Sequence, residues 1–538
     1  MTERIKFVIL IFILASIRIL PMIIVGDYIP DTDNAFQIQS ALRLLDGDGL
    51  TYISIGDYAA ANPDISTPNY VYASGFPPGF ALLVAGFIYI GISIYVFMVM
   101  INFLLTFLIL YGWWVMGNHY NLNKFELMSF ILSVFLIILV RNLGVLTDLI
   151  AMGIMPIIFY LILKNKISIK TMALAGFLSA LIVLFKYSAL YIVAGMSLYI
   201  AYSYRRNIVA LFKYLFIYLT LPISTFLCIT IINNYKTSGD SVTNFSQNVF
   251  INSFISKFRV EWIFDFLKSV YFGTFRIDDI IIYLFNMIGI TVGNLFFYII
   301  SLGLLALTIW FCIKLYKRYL TCRDLLVLNN SMFMAAFLLL LFMSSKLASQ
   351  VWHPLQETRY IIPIIPLLIL LVFLIIKHFI DYKKLKNITY ISLSITIFLF
   401  TALRIIHDIT KISEFHNTKR AFNQIIERVS NQYDASAVTV IFSENDYNSM
   451  IQIDNKYNAV RDVCVLNKPH HFSRSTLVFI IQDLRQIKTI STQYEVQSFL
   501  RDKYLSCQND VLSQADWSMV EGNGFNLFYY YTKASQTQ

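Results

Sequence analysis

The chain has 538 residues, of which 57% are hydrophobic, 16% aromatic and only 14% charged, at a mean hydropathy of +0.65. A soluble domain carries about 25% charged residues, so a single water-soluble core is excluded, and so is disorder, which needs low hydrophobicity and high charge. The net charge of +10 comes from lysines and arginines in short loops between apolar runs, the pattern that orients a membrane protein and not a nucleic-acid footprint.

A spanning helix needs about 20 apolar residues. Such windows fall at 6–26, 94–116, 126–143, 148–163, 171–186, 188–203, 209–232, 292–313, 325–345, 361–378 and 388–405. The fold class predicted is an α-helical polytopic membrane protein of about eleven transmembrane helices. The first window is long and no A-x-A-like site follows it, so it reads as a mature span. Alternate loops are basic: Arg4 and Lys6; Lys124; Lys164, Lys166 and Lys170; Arg205, Arg206 and Lys213; Lys314, Lys317, Arg318 and Arg323; Lys377, Lys383, Lys384 and Lys386. These loops are expected in the cytoplasm, with the N-terminus. An odd number of spans then puts the C-terminal tail outside, and a plasma membrane is expected because no targeting sequence precedes the first span. The expected organisation is a membrane domain over 1–405, with outer loops at 27–93 and 233–291, and a small extracytoplasmic domain over 406–538.

The first outer loop holds Asp27, Asp31, Asp33, Asp46, Asp48, Asp57 and Asp64 against a single basic residue, Arg43. Phe36, Ile38, Ala41, Leu42, Leu44 and Leu45 follow at roughly helical spacing. Asp33 suits the cap of that helix, Gly47 and Gly49 its end, and the helix is expected to lie at the outer interface. Pro77 and Pro78 block regular structure, and the apolar stretch 79–91 is too short to span. It reads as interfacial or re-entrant. The second outer loop is polar with scattered aromatics, a pattern shared by membrane interfaces and sugar sites; its size fits a lid or acceptor-side element.

From 411 the composition turns soluble. A helical stretch, ISEFHNTKRAFNQIIERVSNQY, precedes strand-like AVTVIF and STLVFIIQ, then helical EVQSFLRDKYL and a last strand, NLFYYYT. That order predicts a small α/β domain without a phosphate loop or triad spacing. Its role reads either as acceptor selection or as a passive cap. An outside tail would let Cys464 and Cys507 pair.

Three stretches carry a family resemblance: Asp33-Asn34-Ala35-Phe36; Ala41-Leu42-Arg43-Leu44-Leu45-Asp46-Gly47-Asp48-Gly49-Leu50-Thr51-Tyr52; and Phe76-Pro77-Pro78-Gly79-Phe80. Thr147-Asp148, Ala175-Gly176, Leu184-Phe185-Lys186-Tyr187 and Glu357-Thr358-Arg359-Tyr360 with Pro363 and Pro366 follow in order. Together they resemble the GT-C fold membrane glycosyltransferases that use a polyprenyl-phosphate sugar, such as the protein O-mannosyltransferases of glycosyltransferase family 39 and the lipid A aminoarabinose transferases. One departure stands out: the family's common Asp-Glu pair is Asp33-Asn34 here.

The resemblance implies a GT-C-like fold and inverting transfer of a sugar from a polyprenyl phosphate to an acceptor hydroxyl at the outer face. It implies an acid of the first loop as general base, a step that suits a carboxylate. Asp33 is the candidate, fourteen residues before Gly47, with Asp31 in reserve; the plain alternative is that both cap a helix and solvate a loop. Asp31-x-Asp33 also matches the DxD string of soluble metal-dependent transferases, but no nucleotide-binding domain surrounds it. The leaving phosphate calls for fixed positive charge, and Arg359, Lys186, Lys346, His353 and Arg141 lie on the outer side. Arg359 and Lys186 rank first because they match family stretches, and snorkelling to headgroups is the plain alternative for each. Tyr360, Pro77 and Pro78 accompany them as motif residues.

Arg18, inside the first span, is a functional candidate by cost alone. It has three open readings: pairing with Asp148, pairing with the lipid phosphate, or snorkelling outward. His353 and Glu357 are four apart, but Pro354 disfavours a helix there and two ligands make no metal site, so no obligate metal or other cofactor is expected. The partners expected are the lipid-linked sugar, membrane lipids and an acceptor that is lipid, protein or polysaccharide; nucleic acid is not among them. Three other readings compete, one of them a non-catalytic membrane scaffold. A polysaccharide polymerase or ligase would place its key basic residues in a large outer loop of the second half. A transporter or flippase would show internal repeats and mid-depth charges.

Overall fold

The computed structural model describes residues 3–30, 32–53, 64–67, 70–140, 146–164, 168–237, 261–272, 281–282, 293–319, 322–347, 360–379, 383–442, 458–460, 466–467, 470–483, 509–513, 517–522 and 525–533. Helix dominates. In chain order the helices are α1 (Glu3–Val25), α2 (Thr32–Asp46), α3 (Gly79–Tyr89), α4 (Ile94–His119), α5 (Lys124–Val140), α6 (Leu146–Lys164), α7 (Ile169–Phe185), α8 (Leu190–Tyr204) and α9 (Ile208–Lys236). They continue with α10 (Glu261–Tyr271), α11 (Asn294–Arg318), α12 (Arg323–Leu347), α13 (Ile365–Phe379) and α14 (Lys383–Ser430).

In its described residues, each of the eleven predicted windows falls mainly on a helix. Among the described residues, six helices are long and apolar enough to cross a membrane: Arg4–Val25, Ile94–His119, Leu146–Leu163, Ile208–Lys236, Asn294–Arg318 and Arg323–Leu341. This is an integral membrane protein. The others are shorter or more polar; α8, at 15 residues, is only about 22 Å long at 1.5 Å per residue. The stretch expected at 79–91 is the 11-residue α3, again too short to cross.

Contacts divide the chain into two compact units. The first comprises Met1–Pro21, Ser74–Phe80 and Val96–His407; the second comprises Met22–Ala73, Ala81–Tyr95 and Asp408–Gln538. Close helix packing marks the first. A Cβ on Gly176 of α7 would meet the Tyr218 carbonyl oxygen of α9 at 2.5 Å, and Ser179 Oγ and Tyr218 Oη lie 2.9 Å apart on the same contact. Small residues admit such approach between membrane helices. The Ala175-Gly176 motif is therefore a packing device.

The second unit holds two sheets. Strands β1 (Thr51–Ile53) and β2 (Tyr70–Tyr72) pair antiparallel, with Tyr52 opposite Val71. Five further strands are β3 (Ala437–Phe442), β4 (Asn458–Val460), β5 (Thr476–Asp483), β6 (Ser518–Gly522) and β7 (Phe525–Thr532). Their order is β4-β3-β5-β7-β6, parallel across β4-β3-β5 and antiparallel beyond. Strands β3, β5 and β7 lie where the sequence predicts them, whereas β4 and β6 are additional. The expected helix EVQSFLRDKYL lies outside the described residues, as do Cys464 and Cys507.

Both faces of this sheet are buried, so β5 reads as a near-continuous apolar run. Val440, Leu477, Phe479 and Leu527 pack under Phe422, Ile426 and Val429 of α14, which are spaced i, i+4, i+7 as one helical stripe. Ile441, Val478 and Ile480, alternating with them, pack on the other face with Leu466, Phe472, Val511 and Ile65. Ile65 comes from the first loop. Asp64 bridges His471, and the Ile65 N–H donates to the His471 carbonyl at 3.1 Å. Thr439 Oγ1 donates to the Ile65 carbonyl at 2.9 Å. The first loop is thus sewn into the core of the C-terminal α/β fold.

Candidate functional site

Two helix ends bring opposite charges into apolar surroundings. Asp148 stands in the first turn of α6, where unpaired N–H groups favour an anion, and Lys186 follows the last turn of α7, where free carbonyls favour a cation. The Lys186 backbone is extended (φ −154°, ψ 117°), and its N–H closes α7 on the Ile182 carbonyl at 2.9 Å. Lys186 Nζ and Asp148 Oδ1 form an ion pair whose side chains are 10% and 3% exposed. The Tyr360 ring centroid lies 5.3 Å from the same Nζ, a cation–π contact. Tyr191, Ser188 and Thr147 are also buried.

Desolvating an ion pair costs several kcal/mol per ion, roughly recovered only when every remaining lone pair and proton is satisfied. Among the described residues that condition is unmet. Asp148 Oδ2, Tyr191 Oη and Ser188 Oγ are buried with no hydrogen-bond partner among the described residues, whereas most buried polar atoms have one. An ammonium has three protons to donate. The pair and its neighbours therefore offer donors and acceptors in excess of what the described protein supplies.

The Pro77-Pro78 segment buttresses this end of α7. A Cβ on Gly79 would lie 2.5 Å from the Leu184 carbonyl oxygen. Tyr187 Oη donates to the Phe76 carbonyl at 3.3 Å, and Asn233 Nδ2 of α9 donates to Tyr187 Oη at 3.0 Å and to the Ser74 carbonyl at 3.4 Å. Pro77 is buried and Pro78 half-buried. Their part is to fix the backbone beside Lys186.

Asp33 belongs to the second unit. It lies in the first turn of α2, half-buried, and its carbonyl accepts from Gln37 Nε2 at 3.2 Å. The helix starts one residue before it, at Thr32, so Asp33 is a first-turn residue and not the cap. Asn34 is fully buried. Gln37 and Ser40 are buried along with Phe36, Ile38 and Ala41, so the N-terminal half of α2 packs into protein on several sides. This half does not present the single polar face that the sequence predicts for it. Gly47 (φ 92°) ends the helix as predicted, with the Asp48 N–H returning to the Arg43 carbonyl at 2.9 Å.

No protein-family model matches this sequence, and no curated protein does. Among solved structures, the chain is similar to ArnT from Cupriavidus metallidurans bound to undecaprenyl phosphate, at 10% identity over 98% of this chain and 97% of that one, with a TM-score of 0.48. It is similar to the apo state of ArnT from the same organism at 11% identity over 98% of each chain, with a TM-score of 0.49.

Of the predicted site residues, Asp148, Lys186 and Tyr360 come together. Arg18 is 1% exposed, enclosed by protein and not spread along lipid, and Asp148, one partner foreseen for it, is paired with Lys186. Asp31, Arg141, His353, Glu357 and Arg359 lie outside the described residues, as does the side chain of Lys346. The sequence reading missed Tyr191 and Ser188, just past the Leu184–Tyr187 stretch, and Asn233, a helix residue with no motif around it. It also passed over two anchors in the second unit. Asp27 Oδ2 meets His416 Nδ1 at 2.9 Å and Lys419 Nζ at 3.9 Å. Asp64 accepts the Ser66 N–H (2.9 Å), Ser66 Oγ (2.5 Å), Thr67 Oγ1 (3.2 Å), the Ser473 N–H (3.2 Å) and Ser473 Oγ (2.5 Å). Partial burial raises the Asp64 pKa, and these bonds from Ser473 and Ser66 outweigh it, holding the carboxyl at about 2. The Asp-x-Ser-Thr string was the available signal, since Asp followed by Ser two residues on favours an Asx turn.

Proposed function

We propose that the protein transfers a sugar from a polyprenyl phosphate to an acceptor hydroxyl, with inversion, at the face of the membrane opposite its basic loops. The buried Lys186–Asp148 pair carries this reading, because it brings an ammonium into apolar surroundings, beside polar atoms that have no partner among the described residues. In the proposed reaction the acceptor oxygen attacks the anomeric carbon and the carbon–oxygen bond to the phosphate breaks. The electron pair leaves with the polyprenyl phosphate, and Asp33 takes the hydroxyl proton. Lys186 offsets the charge gathering on the leaving phosphate, the kind of electrostatic term that dominates such steps. Asp148 is a positioning residue that orients the ammonium. Arg359, Arg18, Lys346 and His353 are proposed as further phosphate ligands and Asp31 as the reserve base. The bundle is proposed to be GT-C-like with about eleven spans, an N-terminus in the cytoplasm and a C-terminal domain outside.

The test uses full-length protein in proteoliposomes with a polyprenyl-phosphate sugar. Lys186→Met leaves Asp148 buried and uncompensated, at a cost of about 3–5 kcal/mol, so its loss of activity alone is ambiguous. The double variant Lys186→Met/Asp148→Asn removes both charges and is expected to recover most of the stability while transfer stays at least 100-fold down. Wild-type transfer in the folded double variant would refute the role of Lys186.

A further inference from the structure

We infer that the basic end of the bundle binds an anionic phospholipid, one acyl chain lying in a cavity between α10, α11 and α12. This site is unrelated to Lys186 and does not depend on the transferase reading.

The cavity measures about 440 Å³, within the range of about 300–1,000 Å³ typical of ligand pockets. Leu305, Ile309 and Ile313 of α11, Leu326 and Phe333 of α12 and Phe266 of α10 line it. Leu305 and Lys317, both on its wall, are twelve residues apart on one helix, which is about 18 Å. One leaflet of hydrocarbon is about 15 Å thick, so the slot has the length of a single leaflet's chain. The helix α10, from the second outer loop, closes it: Tyr271 Oη donates to Thr308 Oγ1 at 3.3 Å and Tyr298 Oη to Asp265 Oδ1 at 2.7 Å. Phe266, Leu267, Val270 and Tyr271 of that loop are thus a wall of this cavity.

The charge sits at one end. Tyr202 and Tyr316 line the cavity and share a hydrogen bond of 2.8 Å between their hydroxyls. A guanidinium flanks each ring. Arg205 Cζ is 4.0 Å from the Tyr202 centroid and its Nη1 donates to the Tyr202 carbonyl at 2.7 Å. Arg323 Cζ is 4.9 Å from the Tyr316 centroid and its Nε donates to the Tyr316 carbonyl at 2.8 Å. Lys317 completes the mouth. Across these two loops Arg205, Arg206, Lys314, Lys317, Arg318 and Arg323 stand against one acid, Asp324. Guanidinium forks suit phosphate oxygens, and basic pockets between membrane helices hold anionic headgroups.

A second observation lies deeper. Asn329 is 4% exposed and lines the cavity, and its Oδ1 has no hydrogen-bond partner among the described residues. It stands six residues, about 9 Å, along α12 from Arg323, the depth at which a phospholipid changes from headgroup to chain. That oxygen accepts hydrogen bonds and calls for a donor, which the hydroxyls of a glycerol headgroup carry and a choline headgroup does not.

The experiment compares 1-palmitoyl-2-oleoyl phosphatidylglycerol with the matching phosphatidylcholine on purified full-length protein, by native mass spectrometry and thermal unfolding. Phosphatidylglycerol is expected to be retained at least tenfold better and to raise the unfolding temperature. Arg205→Ala/Arg323→Ala, the first exposed and the second half-buried, is expected to bring the two lipids to parity. Ile309→Trp, which fills the slot, is expected to abolish retention of either. Equal retention by wild type, or an undiminished preference in the arginine variant, would overturn the proposal. So would tighter binding of undecaprenyl phosphate that the arginine variant loses, since the site would then belong to the prenyl lipid.

Discussion

Lys186 and Asp148 are 38 residues apart in the sequence, and each can be singled out there because each stands at the end of an apolar run. Their pairing is not legible, because it depends on which ends of α6 and α7 meet. The same limit hides Tyr191, whose tyrosine looks like any other until its hydroxyl is found buried beside a carboxylate. Asp64 shows the converse: its turn is local and readable, its partner Ser473 is not. The Asp64 pKa lies below its unfolded value, so the stabilisation it gives is present above the ordinary carboxylate range and lost as pH falls toward about 2. Asp64→Ala strands the donors of Ser66 and Ser473 and is expected to cost about 1–3 kcal/mol. It should also free 64–67 for proteolysis in intact protein. Unchanged protease resistance would show that Ile65 alone holds the loop.

At the scale of elements, hydropathy windows find the helices because burial in lipid demands length and apolarity together. They fail where composition has two masters. α14 runs 48 residues from Lys383 to Ser430 without a break, although its apolar and polar halves suggest a boundary near 405. A helix needs no interruption to change surroundings; only its stripe changes, from a broad apolar girth to Phe422, Ile426 and Val429. α10 was hidden for the opposite reason, an amphipathic helix of 11 residues inside a loop that averages polar. Glycines were found as motif letters, but their reason is contact. Gly176→Ala drives a methyl toward the Tyr218 carbonyl, an overpacking expected to cost about 1–3 kcal/mol, visible as a lower unfolding temperature in detergent. Gly79→Ala meets the Leu184 carbonyl two residues from Lys186, and is expected to reduce transfer as well as stability. A Gly79→Ala protein with wild-type turnover would show that the Pro77-Pro78 buttress is dispensable.

Across the whole molecule, the sequence predicts the class of protein, the helical windows and the small α/β tail, because those follow from composition and periodicity. It does not predict that Met22–Ala73 belongs with the tail. That grouping depends on Ile65 filling a gap in a distant sheet and on Asp27 meeting His416, both products of tertiary contact. It also gives the tail a mechanical part, since it grips the loop that carries Asp33. The basic loops predict an orientation: with a cysteine introduced at Ser513, an exposed position of the tail, an impermeant maleimide is expected to label from the side opposite the N-terminus. Labelling from the N-terminal side would reverse the topology.

The most direct measurement is single-turnover transfer from a polyprenyl-phosphate sugar by wild type and Asp33→Asn in proteoliposomes, with donor binding followed in parallel. The account predicts a turnover at least 100-fold lower in Asp33→Asn, the upper part of a general base's contribution of about 10²–10⁴, with donor binding within threefold of wild type. Equal turnover by the two proteins, or no transfer by wild type with any such donor, would contradict it.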